Sequence, residues 1–161
     1  MKQCTQIGSK IYINNNFGWV AKKGDPDKFL LIEYDLATKR SEFFIQHPAS
    51  IEGKNFDNST FRHMKFTCQE RDQTILFSFN FDPYIYEFSG NKNDTPSYYC
   101  APKDYELPEA LKPGISSDAI WIHFQTHFSF SDIRFDPFRN TILRTALVPY
   151  LLEDIKSGSV I

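Results

Sequence analysis

Two histidines spaced four residues apart are the first side chains in this sequence that could do chemistry. His123 and His127 lie in "WIHFQTHF", and on a helix that spacing would bring both imidazoles within reach of one divalent metal. Apart from Thr126, however, apolar residues occupy alternate positions from Ile122 to Phe130, which is the pattern of a strand. On a strand the two histidines would stand about 13 Å apart, so we predict no metal site. The side chains that would then share the wetter strand face, where they could contact a sugar or a peptide, are Trp121, His123, Gln125 and His127.

No other residues form a catalytic constellation. His47 and His63 lack a Ser, Cys or Asp partner at a recognisable spacing, and the metalloprotease, nucleophile-elbow and phosphate-loop motifs are absent. The acidic loops 24–28, 56–60 and 90–95 lack the EF-hand spacing and are typical of tight turns. We therefore predict no catalytic residue, no metal and no cofactor.

Exposed aromatic rings are the remaining candidates for ligand binding. Tyr98 and Tyr99 stand together in "SYYC", and with Trp121 they could stack on a ligand, although aromatic residues also fill protein cores. The ligand is left open between a carbohydrate and a protein.

Composition limits the possible folds and partners. A chain of 161 residues suits one domain, and an aromatic content of 16%, with 16 Phe and 8 Tyr, favours strands. With 18 basic against 20 acidic residues and no basic run, the sequence argues against nucleic acid as a partner. Three cysteines without a CxxC pair indicate buried free thiols. No apolar run is long enough to span a membrane.

The elements that must position these residues are short strands separated by turns. We expect one all-β domain over 1–161, with approximate four-stranded antiparallel units at 10–46, 61–100 and 119–161, a loop at 101–118 and a short helix at 151–156. The segment around Phe61 to Leu76 can be laid against Phe130 to Leu143. Such repetition is typical of a β-propeller, of which this chain would supply about 2.5 to 3 blades. A small β-sandwich is the alternative.

A family resemblance points the same way. The order of "FRHMKF", "QTILFSFNFDPYIYEFSG", "SYYC" and "DIRFDPFRNTILR" is similar to the later blades of an uncharacterised lipoprotein β-propeller family from Bacteroidetes-type bacteria. The resemblance implies a partial, six-bladed-type propeller and a lipid-anchored protein of the cell envelope, although a leader and a lipobox are absent from these residues. The expected function is a non-enzymatic binding or scaffold module. The alternative is a fragment of a glycan-processing or lactone-hydrolysing enzyme, and open sheet edges would allow self-association.

The turn "DPFRN" is predicted to be the corner of a hairpin rather than a reactive site. We expect Asp136 to accept hydrogen bonds from the backbone N–H groups of the turn, and Pro137 to fix its own φ. Asn140, which follows Arg139, is expected to take a left-handed conformation. A five-residue loop over 136–140 would place Asp132 opposite Arg144. That register predicts a cross-strand ion pair between the two side chains.

Overall fold

The first sheet is built from neighbours in the chain. The computed structural model describes residues 4–15, 29–46, 64–89, 96–112 and 114–157. Four antiparallel strands lie in sequence order, each beside the next. They are β1 (Cys4–Ile7), β2 (Lys10–Asn14), β3 (Leu31–Asp35) and β4 (Arg40–Phe44).

The second sheet repeats this design. Its four antiparallel strands again follow sequence order, with a short 3-10 turn at Glu70–Asp72. They are β5 (Met64–Gln69), β6 (Thr74–Phe79), β7 (Tyr84–Phe88) and β8 (Pro96–Tyr99). The prediction of an all-β chain with antiparallel four-stranded sheets is therefore confirmed.

The last part of the described chain contains one hairpin and two helices. Helix α1 spans Ser117–Gln125, strands β9 (Ser129–Asp136) and β10 (Thr141–Leu147) form a two-stranded sheet, and α2 spans Leu152–Ser157. The strand predicted across residues 121–127 is wrong. Ser116 caps the helix by accepting a hydrogen bond from the Ala119 backbone N–H at 3.2 Å, which is the usual way a helix begins.

Strand β6 is buried on both faces, and this shows how the sheets stack. Ile75, Phe77 and Phe79 belong to a core cluster that reaches the first sheet, whereas Leu76 packs with Ile133 of β9. Alternate side chains of a strand point to opposite faces, so the second sheet lies between the first sheet and the β9–β10 hairpin. A strand covered on both sides reads as a continuous apolar run, as "TILFSF" does.

One polar contact also joins the first two sheets. The Asn14 side-chain amide donates a buried hydrogen bond to the Met64 carbonyl at 2.6 Å, and the two residues lie 50 positions apart. Beside it, the rings of Phe44 and Phe88 lie 5.1 Å apart. The two sheets are thus held by directed contacts as well as by apolar packing.

Three hairpins have the same type of turn. In each, the paired residues that end the strands enclose a four-residue loop, and the last loop residue has a positive φ: Lys39 at 56°, Gln73 at 52° and Asn140 at 51°. Four-residue loops of this kind are built around a type I turn. The left-handed conformation predicted for Asn140 is confirmed.

Candidate functional site

Among the described residues, the largest group of exposed aromatic rings lies beside an open cleft at the outer strand of the second sheet. We call it the tyrosine cleft. In the β7–β8 register, Tyr99 pairs with Tyr84 and Tyr98 pairs with the buried Ile85. The rings of Tyr84 and Tyr99 meet edge to face at 5.5 Å, and Tyr99 keeps 60% of its surface exposed.

The chemistry of the tyrosine cleft is aromatic and uncharged. The cleft has a volume of about 390 Å³ and runs between strand β8 and the start of β10. Its polar side chains are two amides, a hydroxyl, a thiol and two phenols, so it offers hydrogen bonds and ring faces without a formal charge. The lining residues are Gln69, Ile85, Tyr98, Tyr99, Cys100, Phe135, Asn140, Thr141 and Ile142.

Arg144 fixes the wall of the tyrosine cleft from behind. Its guanidinium donates hydrogen bonds to the carbonyl oxygens of Cys100 at 3.1 Å and Phe79 at 2.9 Å, and also to that of Asp82. The same group lies over the Phe130 ring, 3.5 Å from its centroid, a favourable cation–π geometry. Burial lowers the pKa of Arg144 to about 10. One side chain thus ties β10 to the end of β6 and to the residue that follows β8.

The predicted ion pair between Asp132 and Arg144 is wrong. Asp136 ends strand β9 opposite Thr141, so the loop has four residues rather than five and Arg144 lies opposite Ile133. A shift of one residue turns side chains to the other face of a strand. Asp132 instead accepts a hydrogen bond from Arg134 at 3.0 Å.

The hydrogen bonds predicted for Asp136 are confirmed. The Asp136 carboxylate accepts hydrogen bonds from the backbone N–H groups of Phe138 at 2.9 Å and Arg139 at 3.3 Å. Arg139 also donates from its guanidinium at 2.8 Å, and this hydrogen bond is the main reason that the pKa of Asp136 is lowered. The "DPFRN" segment is therefore a hairpin corner that lies beside the tyrosine cleft through Asn140.

The two histidines come together at the C-terminal end of α1, where His123 lies in the helix and His127 lies two residues beyond its end. The ring centroids of His123 and His127 lie 4.3 Å apart, not the 13 Å expected for a strand. His127 Nδ1 is 2.6 Å from the His123 carbonyl oxygen, and because a carbonyl only accepts, this nitrogen carries the proton. Burial and the neighbouring His127 lower the pKa of His123.

The helix also separates the predicted ligand-binding residues. Positions two apart on a helix differ by about 200°, so Trp121 and Gln125 do not share a face with the histidine pair. Gln125 and His127 do line a second cleft, of about 400 Å³, together with Tyr150. Tyr150 closes one end of this helix cleft by donating its backbone N–H to the Gln125 carbonyl at 2.8 Å.

A buried acid in the first sheet has partners of its own. Glu33 is 2.7 Å from the Lys10 ammonium and hydrogen-bonded to the Tyr12 hydroxyl, and burial together with this bond raises the pKa of Tyr12. The same carboxylate raises the pKa of Lys10. This trio is a satisfied core network rather than a reactive site.

Sequence reasoning found the tyrosines of the cleft but missed its other wall. Cys100, Phe135 and Ile142 reach the cleft only because the β9–β10 hairpin packs against the second sheet, and no local motif signals that packing. Within the described ranges, no group of three or more His, Cys, Asp or Glu side chains is placed to hold a metal. His47 and His63 lie outside the residues described.

Comparison with known proteins gives one solved structure of similar fold. A crystal structure of a DUF4221 family member from Bacteroides vulgatus superposes with a TM-score of 0.63 at 17% sequence identity. The match covers 94% of this chain and 42% of that one, so this chain spans less than half the length of its structural neighbour. No protein-family model matches the sequence, and no curated protein matches it. Among the described helices, none is long and apolar enough to cross a bilayer.

Proposed function

We propose that this chain is a non-enzymatic binding module of β-propeller type, and that the tyrosine cleft is its ligand site for a neutral carbohydrate. The observation that carries this proposal is the cleft of about 390 Å³ beside the exposed rings of Tyr98 and Tyr99. Binding pockets combine apolar and aromatic walls with a few placed polar groups, and this cleft has that composition.

The absence of charge in the lining favours a sugar over a charged ligand. Phosphate and carboxylate ligands are held by Arg or Lys, whereas the cleft presents the amides of Gln69 and Asn140 and the hydroxyl of Thr141. Amides and hydroxyls can both donate and accept hydrogen bonds, as sugar hydroxyls require. Arg144 stands behind the wall, where its guanidinium is already occupied by three carbonyl oxygens.

The architecture supports a place within a propeller. Two up-and-down four-stranded sheets stacked face to face follow the blade plan of that fold. The structural neighbour is more than twice as long as this chain, which is consistent with further blades in a complete protein. We propose on this basis, and on the family resemblance of the sequence, that the module belongs to a cell-envelope protein.

The test is a binding titration with a panel of neutral oligosaccharides, followed by isothermal calorimetry. We expect the native chain to bind at least one saccharide and Tyr99→Ala to weaken that binding at least about tenfold, because a stacking ring is lost. Phe138→Ala is the matched control, since Phe138 is 97% exposed and outside the cleft. Failure of every saccharide to bind, or equal binding by the Tyr99→Ala and Phe138→Ala variants, would contradict the proposal.

A further inference from the structure

Strand β10 has an open edge. Within the part of the chain that the structure describes, it pairs with β9 alone. No main-chain hydrogen bond from residues 141–147 leaves the hairpin for another described element. An unpaired strand edge of this kind is a template for adding another strand.

This edge lacks the devices that protect the outer edges of the two complete sheets. Strand β4 carries the exposed charges of Arg40 and Glu42, and β8 has four residues and begins with Pro96. Strand β10 has seven residues, and no charged side chain lies on its exposed face. Charges, proline and short length are the usual means of preventing strand addition, so β10 is less protected against it than β4 or β8. The exposed side chains along it are Thr141, Leu143, Thr145 and Leu147.

Apolar surface is concentrated at the same place. Of the 14 large apolar residues that are exposed among the described residues, six lie on β10 or within the five residues that follow it. A stable interface takes about 800 Å² from each partner, and each of these six large side chains keeps between 43% and 70% of its surface exposed. The six are Leu143, Leu147, Val148, Tyr150, Leu151 and Leu152.

We propose that β10 pairs antiparallel with β10 of a second copy of this chain, about a two-fold axis at Thr145. Both strands then belong to one four-stranded sheet, the strand number of each of the other two sheets. In this register Thr145 lies opposite its own copy, and Leu143 lies opposite Leu147 of the partner subunit. Thr–Thr and apolar pairs directly opposite each other stabilise antiparallel sheets.

The charge distribution permits this pairing. Arg144 would lie opposite Ala146 of the partner subunit, so no like charges meet, and its guanidinium is already held on the inner side by carbonyl groups. The net charge of -2 per chain adds little repulsion between copies at physiological ionic strength.

Sedimentation velocity and light scattering on the 161-residue chain test the association. We expect the native chain to be a dimer, and Thr145→Lys to raise the dimer dissociation constant about 100-fold because two ammonium groups would meet at the axis. Phe138→Lys, which adds the same charge at an exposed turn residue, should leave the dimer unchanged. Circular dichroism of each variant checks that the fold is retained.

Cysteine cross-linking tests the register. In a Cys4→Ser background, Thr145→Cys should form an intermolecular disulfide under mild oxidation, because the two residues are directly opposite. Thr141→Cys is the control, since its two copies would be about 26 Å apart along the paired strands. A monomeric native chain would overturn the proposal, as would a dimer that Thr145→Lys leaves intact or that cross-links through residue 141. A monomeric chain would indicate that the edge of β10 does not pair with a second copy.

Discussion

Arg144 shows how one side chain can replace several ordinary contacts. A buried guanidinium is costly unless its donors are occupied. Here the two terminal nitrogens donate to three carbonyl oxygens and the group lies over the face of Phe130, whereas the buried Nε has no hydrogen-bond partner among the described residues. The carbonyls belong to three separate points of the second sheet and its neighbouring loop. Because arginine presents its donors in a fixed planar fork, it can bind several of them at once.

Replacing this arginine should destabilise the protein strongly. Arg144→Met keeps much of the side-chain volume but leaves the three carbonyl oxygens without their donor, and we expect a loss of about 2–4 kcal/mol in the free energy of unfolding. Arg144→Lys should lose less stability than Arg144→Met, because an ammonium can still donate to some of these carbonyl oxygens. The matched control is Arg134→Met. The Arg134 side chain is 79% exposed and pairs with Asp132, so this change should cost less than about 1 kcal/mol. Urea denaturation of the three variants measures the difference, and equal losses for residues 134 and 144 would contradict this role.

The hairpin loops show what local sequence predicts well and where it fails. Turn chemistry at Asp136 and Asn140 was predictable because it depends on residues within five positions. The register of β9 against β10 was not predictable, since both a four-residue and a five-residue loop suit "DPFRN". The four-residue loop places Arg144 on the strand face that meets Phe130 and the second sheet. That long-range contact cannot be predicted from the turn sequence.

The shared left-handed position should be sensitive to branching at Cβ. Asn140→Val places a β-branched residue at φ 51°, and we expect the free energy of unfolding to fall by about 1–2 kcal/mol. Asn140→Gly should not lose stability in this way, because glycine adopts positive φ freely. Thermal and urea denaturation of both variants checks the prediction, and a valine variant as stable as the glycine variant would disprove it.

Helix α1 was missed because its sequence fits two periods. Ile120, Ile122 and Phe124 alternate as in a strand, yet Ile120 and Phe124 are also spaced for one helix face, and these two pack against the core. Phe124 stacks on Phe81 at 5.6 Å, a contact between distant parts of the chain. The Ser116 cap was the local signal that could have identified the helix.

At the scale of the whole molecule, the second sheet connects the other two. Its apolar residues face the first sheet on one side and the β9–β10 hairpin on the other. The sequence predicted antiparallel sheets of neighbouring strands, because recognisable turns join them. It did not include β1 in the unit 10–46, and the unit 119–161 has two strands rather than four. The order of stacking depends on side chains far apart in the chain, and periodicity contains no information about it.

The contact between Leu76 and Ile133 should therefore couple two sheets energetically. Both residues are almost fully buried in one cluster, so Leu76→Ala and Ile133→Ala should each cost about 2–5 kcal/mol. In the double variant we expect the two losses to differ from simple addition by about 0.5–3 kcal/mol. The pair Leu76→Ala with Leu31→Ala is the control, because Leu31 lies in the other cluster. Strict additivity for residues 76 and 133 would contradict the packing described.

The hydrogen bond from Asn14 to Met64 has a consequence for the folding kinetics. Each sheet can form from strands that follow one another, which involves short loop closures, whereas this bond joins residues 50 positions apart. Closing long loops slows folding, because the entropy is lost before the contact is gained. We therefore expect docking of the two sheets to be slower than strand pairing within either sheet.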